Sequence, residues 1–444
     1  MSKTTKFYIV AADALPEIFI KVAEAKRMMQ TGEADTVGAA TRLAGISRSA
    51  FYKYKDSVQP FNDMKAEHII TFYAMLKDNA GVLSGVLSVF AASGANILTI
   101  NQSIPTNGCA AVTISAETSE MEESLEQLLA DVTALEAGKH VVTANKQLVA
   151  ERGCELLALA KKRGVSYLFE ASVGGGIPVL HPLTQCMAAN RIDQVYGILN
   201  GTTNYILTRM VRTGAFFSDA LREAQAKGYA EADPTADVEG IDAGRKICIL
   251  ADLAFGHQVD PADVPMEGIS KLSLRDVKVA QRAGYRVKLL GRAVRLPGGG
   301  RTAYVAPHLI PEDNPISGVE AVFNAVMVQG NATGEVMFYG KGAGEMPTAS
   351  ACVADVMECL QASPRREEIG WSPDQSGFED PAELRTRYYF RIEGSLTDAA
   401  MAFGQVEVLS EDGETAFLTE SISGRDAQRQ SRSLNVLACM RVLE

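Results

Sequence analysis

From residue 134 to residue 360 the chain alternates short β-prone runs with helical runs. That alternation restricts it to helices laid against a sheet. HVVTANK reads as a strand ending in polar residues, GCELLALAKKRG as a helix, and YLFEASVGGGIPVL as a strand running into a glycine turn. An α/β unit with a mixed sheet is expected. At 444 residues the chain has room for roughly three domains. Hydrophobic residues at 47% and charged residues at 22% exclude wholesale disorder. A net charge of −11 argues against a protein that mainly coats nucleic acid or an anionic membrane, although a local basic patch is compatible with it.

Seven cysteines are scattered, odd in number and free of any C-x-x-C or Cys/His cluster. Neither a disulfide framework nor a zinc site is supported, and reduced thiols in the cytoplasm are the plain expectation. The first residues carry Asp13 and Glu17 and lack an apolar core of signal-peptide length. The apolar stretch Ile247 to Phe255 is broken by Asp252 and too short to span a bilayer.

Residues 1–62 read as a helical leader with a short first strand at Phe7–Val10 and an amphipathic helix over Leu15–Gln30. Within it, TVGAATRLAGISRSAFYKYKD (36–56) has helix-turn-helix spacing. Thr36 and Ser47 can cap two helices, Gly45 can turn the chain, and Arg48, Tyr52, Lys53 and Lys55 fall on the second helix. This is either a recognition helix for DNA or, more simply, a helical hairpin with a solvated basic face. Residues 63–132 read strand–helix–strand–strand–helix, with Ser119 capping the last helix.

Five segments carry groups suited to chemistry. AKGYAEADPTADVEGIDAGRKICILA (226–251) gathers Glu231, Asp233, Asp237, Glu239 and Asp242 before a helix bearing Arg245 and Lys246. Asp242 and Lys246 are four apart and face the same way. The bland reading is a capped helix with a surface ion pair. In a closed site, such a lysine can exchange a proton with a substrate oxygen. LNGTTNYIL (199–207) supplies Asn200 and Thr202, which suit a small zwitterion or serve as a polar cap. VVTANKQLVA places Thr143, Asn145 and Lys146 at the C-terminal end of a strand, where α/β sheets bind ligands. EASVGGGIP (170–178) could converge carbonyls on a monovalent cation or be a plain turn. GKGAGEMPTASA brings Gly340, Gly342 and Gly344 before a helix, a weak phosphate signal that does not fit G-x-G-x-x-G.

Two resemblances follow. Residues 63–132 resemble an ACT domain, a ferredoxin-type amino-acid-binding module, through Asp78-Asn79-Ala80-Gly81-Val82-Leu83. The resemblance implies an effector loop at Asp78, Asn79, Gly81 and Leu83 and an amino-acid effector. The module's last strand is missing. The five segments, in order over about 134–360, resemble homoserine dehydrogenase. That resemblance implies NADP- or NAD-dependent interconversion of L-homoserine and L-aspartate 4-semialdehyde in threonine, methionine and isoleucine biosynthesis. It implies Lys246 and Asp242 as catalytic groups, and Glu231, Asp237, Asn200 and Thr202 around the substrate. Lys146, Asn145, Thr143, Gly342 and Gly344 would lie near the cofactor. Glu170, Val173, Gly175 and Ile177 would hold Na+ or K+. At least a homodimer, joined through the sheet of residues 180–350, is implied.

The family's first Rossmann half is missing, because no G-x-G-x-x-G occurs in residues 1–150. Two truncated modules meeting near Asp131–Leu135 read as a fusion. The expected plan is a multidomain α/β and α+β chain: leader 1–62, ACT-like 63–132, a partial Rossmann remnant 133–168, and a catalytic domain 169–360. A linker at 361–384 and a degenerate ACT-like segment at 385–444, ending in an arginine-rich helix, complete it. Cofactor affinity should be weak without the glycine fingerprint. The competing reading is an ACT-type regulatory protein carrying an inert dehydrogenase remnant.

Overall fold

The computed structural model describes residues 17–30, 34, 36–55, 69–77, 83–84, 87, 96–105, 109–117, 124–361 and 370–444. The expected strand at Phe7–Val10 and loop residues Asp78, Asn79 and Gly81 lie outside them, whereas Leu83 is helical. The chain divides into residues 1–125 and 126–444.

In the first unit, α1 (Glu17–Gln30), α2 (Val37–Leu43) and α3 (Arg48–Tyr54) share a core of Val22, Ala25, Ala40, Ala44 and Phe51. Both expected caps form. Thr36 Oγ1 accepts from Ala39 N at 3.2 Å and Ser47 Oγ accepts from Ala50 N at 3.2 Å. β1 (Ile69–Lys77), β2 (Asn96–Gln102) and β3 (Cys109–Glu117) make an antiparallel sheet in the order β1-β3-β2. That order matches three of the four strands of a ferredoxin-type sheet, the three present among the described residues.

The second unit begins within α4 (Ser124–Glu136). β4 (Val141–Val142) and β5 (Tyr167–Leu168) pair in parallel and are joined by α5 (Lys146–Arg163). Gly164, at φ 67°, ends α5 behind Lys161, Lys162 and Arg163, cations that suit the negative end of a helix. β6 (Ile192–Ile198), α6 (Gly201–Thr213), α7 (Phe217–Ala226), α8 (Thr235–Val238), α9 (Ile241–Phe255) and α10 (Leu274–Arg282) follow. Then come β7 (Tyr285–Arg295), β8 (Arg301–Pro311), β9 (Phe323–Gly330), β10 (Gly334–Lys341) and α11 (Glu345–Leu360). Ile247, Cys248, Ile249, Leu250 and Ala251 of α9 are all 0% exposed. A helix apolar on every side has to be enclosed, and α9 packs against β6, β7 and β8 on one side and α5 on another. Truncating one of these side chains should cost about 2–5 kcal/mol.

The remaining elements are β11 (Arg385–Thr386), β12 (Tyr388–Ile392), α12 (Leu396–Phe403), β13 (Val406–Glu411), β14 (Thr415–Thr419), β15 (Ile422–Ser423), α13 (Gly424–Ser431) and β16 (Val436–Val442). The expected arginine-rich terminal helix is α13, and a strand follows it. β12-α12-β13-β14-α13-β16 is a topologically complete βαββαβ unit, so this segment is less degenerate than its sequence suggests. Its β16 pairs in parallel with β8, giving one mixed sheet of nine strands, β10-β9-β6-β7-β8-β16-β12-β14-β13. A buried network reinforces the join. Ser273 and Asp276 form the capping box of α10, and Asp276 accepts from Arg391 Nε at 2.7 Å and from the Tyr389 hydroxyl at 3.0 Å.

The stretch expected as a linker differs from a free tether where it is described. Trp371 is buried, donates to Gln258 Oε1 at 2.7 Å and stands edge-on to Phe169. Gly153 leaves room for its ring, since a Cβ there would come within 2.6 Å of it. The sequence signal of polar residues and prolines reported the polar surface and missed the single tryptophan anchor. No helix among the described residues is long and apolar enough to cross a membrane.

Candidate active site

The site is assembled where three chain segments end beside one another: the end of β4, the turn from β6 into α6, and the start of α9. Asn145 caps α5, accepting from Leu148 N at 3.0 Å, and the Thr143 hydroxyl accepts from Asn145 N at 3.1 Å. This local pattern fixes Lys146 as the first residue of the helix. Asn200 caps α6 in the same way, accepting from Thr203 N at 2.9 Å. Gly240 precedes α9 at φ 84°, a conformation that favours glycine, and sets Asp242 in the first helical turn. A carboxylate there is stabilised by the helix dipole.

Asp242 is the hub. Its Oδ2 accepts from Lys246 Nζ at 2.8 Å and from Asn200 Nδ2 at 2.9 Å. Its Oδ1 lies 2.8 Å from Lys146 Nζ. Lys246 also donates to the Leu199 carbonyl at 2.8 Å, and Asn200 Nδ2 donates to Asp237 Oδ1 at 2.7 Å. Burial pushes the Asp242 carboxyl upward, but the charges of Lys246 and Lys146 outweigh it and hold it well below the usual carboxylate range. The surface ion pair suggested by the Asp242/Lys246 spacing is thus enclosed: their side chains are 9% and 10% exposed, whereas that of Lys146 is 38% exposed. Chemically, the cluster is a charged lysine held by a carboxylate, with a second lysine opening toward solvent.

The structure brings Lys146, Asn200, Asp237, Asp242 and Lys246 together. Glu231 is exposed on the same acidic loop, whose backbone is tied down by Gln225 Nε2 donating to the Glu231 carbonyl at 3.0 Å. The Thr202 hydroxyl donates to the Tyr229 carbonyl at 2.6 Å, so it anchors the acidic loop to α6 rather than presenting itself to a ligand. The Glu170 carboxylate accepts from the backbone N–H groups of Val179, Leu180 and His181 at 2.6, 2.9 and 2.7 Å. Any cation in the 170–177 loop would therefore draw on main-chain carbonyls. Val173 and Ile177 are buried there, and a Cβ on Gly175 would come within 2.7 Å of the Gly342 carbonyl. The two glycine loops thus touch backbone to backbone.

One residue in this neighbourhood escaped the sequence reading. Asn324, 1% exposed on β9, lies between the start of α6 and the 340–344 loop. A Cβ on Gly342 would overlap its side chain at 2.1 Å, and one on Gly201 would approach its Oδ1 at 3.5 Å. That Oδ1 is buried without a hydrogen-bond partner. The available signal was an amide near the start of a mainly apolar strand, FNAVMVQG.

Comparison with known proteins gives the same reading. The family profile described as homoserine dehydrogenase matches residues 178–357, and that described as homoserine dehydrogenase, NAD binding domain, matches residues 118–170. The homoserine dehydrogenase of Neisseria gonorrhoeae is 42% identical over 331 residues, covering 69% of this chain and 76% of the relative. That of Bacillus subtilis is 44% identical over 295 residues, covering 66% and 67%. The crystal structure of a Thiobacillus denitrificans homoserine dehydrogenase superposes with a TM-score of 0.67 at 37% identity, covering 72% of this chain and 79% of that one. With its lysine–aspartate cluster, its mixed sheet and these relatives, the chain belongs to the homoserine dehydrogenase family.

Proposed function

We propose that the chain interconverts L-homoserine and L-aspartate 4-semialdehyde, with Lys246 moving the proton at the substrate oxygen. The observation that carries this is the buried contact of Lys246 with Asp242, which keeps an ammonium in place inside the protein. In the reducing direction Lys246 protonates the forming alkoxide; in the oxidising direction it receives that proton back. Asp242 keeps Lys246 oriented and charged. Asp237 and Glu231, on the acidic loop, grip the substrate ammonium, and Asn200 locks Asp237 to Asp242. Preorganised charges of this kind act without reorganisation cost during the reaction.

The residues present fit the nicotinamide end of NADP or NAD. Asn324 offers an unpartnered buried acceptor beside Gly342, and Lys146, Asn145 and Thr143 stand at the C-terminal end of a parallel strand. When bound, the cofactor supplies hydride chemistry. Residues 1–150 contain no glycine fingerprint for its pyrophosphate, so a raised cofactor KM is expected. Glu170, Val173, Gly175 and Ile177 are read as a Na+ or K+ loop through their carbonyls. Cys154, Cys186, Cys248, Cys352, Cys359 and Cys439 are free thiols, which supports a reducing, cytoplasmic setting. We read the protein as a homo-oligomer through the sheet of residues 180–350, and residues 63–132 as an ACT-like module taking an amino-acid effector.

The test is nicotinamide reduction by the purified chain with L-homoserine, using NAD and NADP in turn, beside Lys246→Ala. The expected result is turnover that falls about 10²–10⁴-fold in the variant. Equal rates in the two proteins would overturn the assignment.

A further inference from the structure

The helical leader contributes none of the residues named at the lysine–aspartate cluster, and its structure has features of its own. Residues 36–55 contain Arg42, Arg48, Lys53 and Lys55 and no carboxylate, inside a chain of net charge −11. They fold as two capped helices, α2 and α3, around a turn in which Gly45 takes φ 69°. α1 closes the pair from behind with Val22 and Ala25, so the three helices hold a core of their own. Phe51 is the buried residue of α3, which leaves Arg48, Ser49, Tyr52 and Lys53 on its exposed side. Those positions are one and four residues apart, which places them on one helix face.

The cations are also ordered. Arg42 Nε donates to the Gly38 carbonyl at 3.0 Å. The Arg48 guanidinium rests where a Gly38 side chain would be, 2.0 Å from an added Cβ. Two guanidiniums therefore converge at the start of α2. On α3, Lys55 Nζ lies 5.6 Å from the Tyr52 ring centre and Lys53 Nζ lies 5.0 Å from that of Tyr54. Tyr52 is 56% exposed between them. We propose that α2 and α3 form a binding site for double-stranded DNA. Arg42, Arg48, Lys53 and Lys55 meet backbone phosphates, and Ser49 and Tyr52 face the major groove. Helix-turn-helix units divide labour in this way, the first helix crossing the backbone and the second entering the groove. An all-cationic face set into an acidic protein is complementary to a polyanion.

The experiment uses the full chain and a fluorescein-labelled, random-sequence DNA duplex, read by anisotropy. Four cations at phosphates give a logarithmic salt slope of about −3.6, so affinity should fall about a hundredfold from about 50 to about 200 mM salt. Lys53→Glu should weaken binding about tenfold and flatten the slope, with helicity and homoserine oxidation unchanged. Lys162→Glu makes the same change of net charge on the exposed end of α5 and should leave binding within about twofold. The proposal is overturned if the soluble chain does not bind the duplex at the lower salt, or if the two variants weaken binding equally. It is also overturned if single-stranded RNA or phosphatidylserine vesicles are retained more tightly than the duplex.

Discussion

Asp242→Asn perturbs the site at its hub while conserving its shape. The native carboxylate accepts from two ammonium groups, each at 2.8 Å, and from Asn200 at 2.9 Å. The variant keeps one acceptor oxygen, turns an amide donor toward a lysine and removes the negative charge that contacts both Lys246 and Lys146. The repulsion between the two ammoniums is then uncompensated: at 2.8 Å and an effective dielectric constant of about 20, the attraction lost by Lys246 is about 6 kcal/mol. Lys146 relieves part of this by swinging into solvent, because its side chain is 38% exposed, whereas that of Lys246 at 10% cannot. What remains after that relief moves the basic limb of the rate profile for aldehyde reduction toward lower pH. The assay is kcat against pH for aspartate 4-semialdehyde reduction, run beside a urea unfolding curve. The rate above neutrality should fall at least about tenfold, and stability by about 3 kcal/mol, as expected when a buried pair loses one partner. A profile that stays in place, with kcat within about threefold, would refute the reasoning that Asp242 holds the charge on Lys246.

Other perturbations reach other parts of the structure. His308 is wholly buried, its Nε2 beside the Tyr304 hydroxyl, and burial pushes its imidazole down to about 3. The unfolded chain then binds a proton that the folded chain refuses below about pH 6.5. Stability should fall by about 2 kcal/mol between pH 6.5 and 5, measured by urea midpoints, and His308→Gln should flatten that dependence. Gly342→Ala sets a methyl against Asn324 and should cost about 1–3 kcal/mol in thermal denaturation, with Asn324→Ala restoring most of the loss. Arg391→Met leaves Asp276, 0% exposed, without its cation and should cost about 3–5 kcal/mol in urea unfolding.

Much of the site was legible because it is built from short-range signals. Thr143, Asn145 and Lys146 sit at a helix start, and Asp242 and Lys246 are one helical turn apart. What periodicity could not supply was convergence: that Lys146 reaches Asp242 across ninety-six positions is a tertiary fact. Glu170 and Thr202 carried plausible ligand chemistry in sequence, yet their polar atoms are engaged with backbone groups brought in from elsewhere in the chain. Asn324 was invisible because an amide in a mainly apolar strand looks like an exception until its neighbours are known. The C-terminal module was under-read for a related reason. The strand β16 alternates regularly but most of its residues are only partly buried, and its partner β8 lies more than a hundred residues earlier.

That pairing has a bearing on how the protein is made. β8 leaves the ribosome long before β16; Val305 is bridged early by Met266, but until residues 436–442 exist the His308–Leu309 end of that edge has no strand beside it. During synthesis the dehydrogenase sheet therefore waits, with the His308–Leu309 end of β8 open on one side, for the last strand of the βαββαβ unit to seal it. A nascent chain stalled before that point would expose an apolar edge able to capture a neighbour's strand. Ribosome-bound intermediates ending before residue 436 should accordingly call on chaperones more heavily than those ending after it.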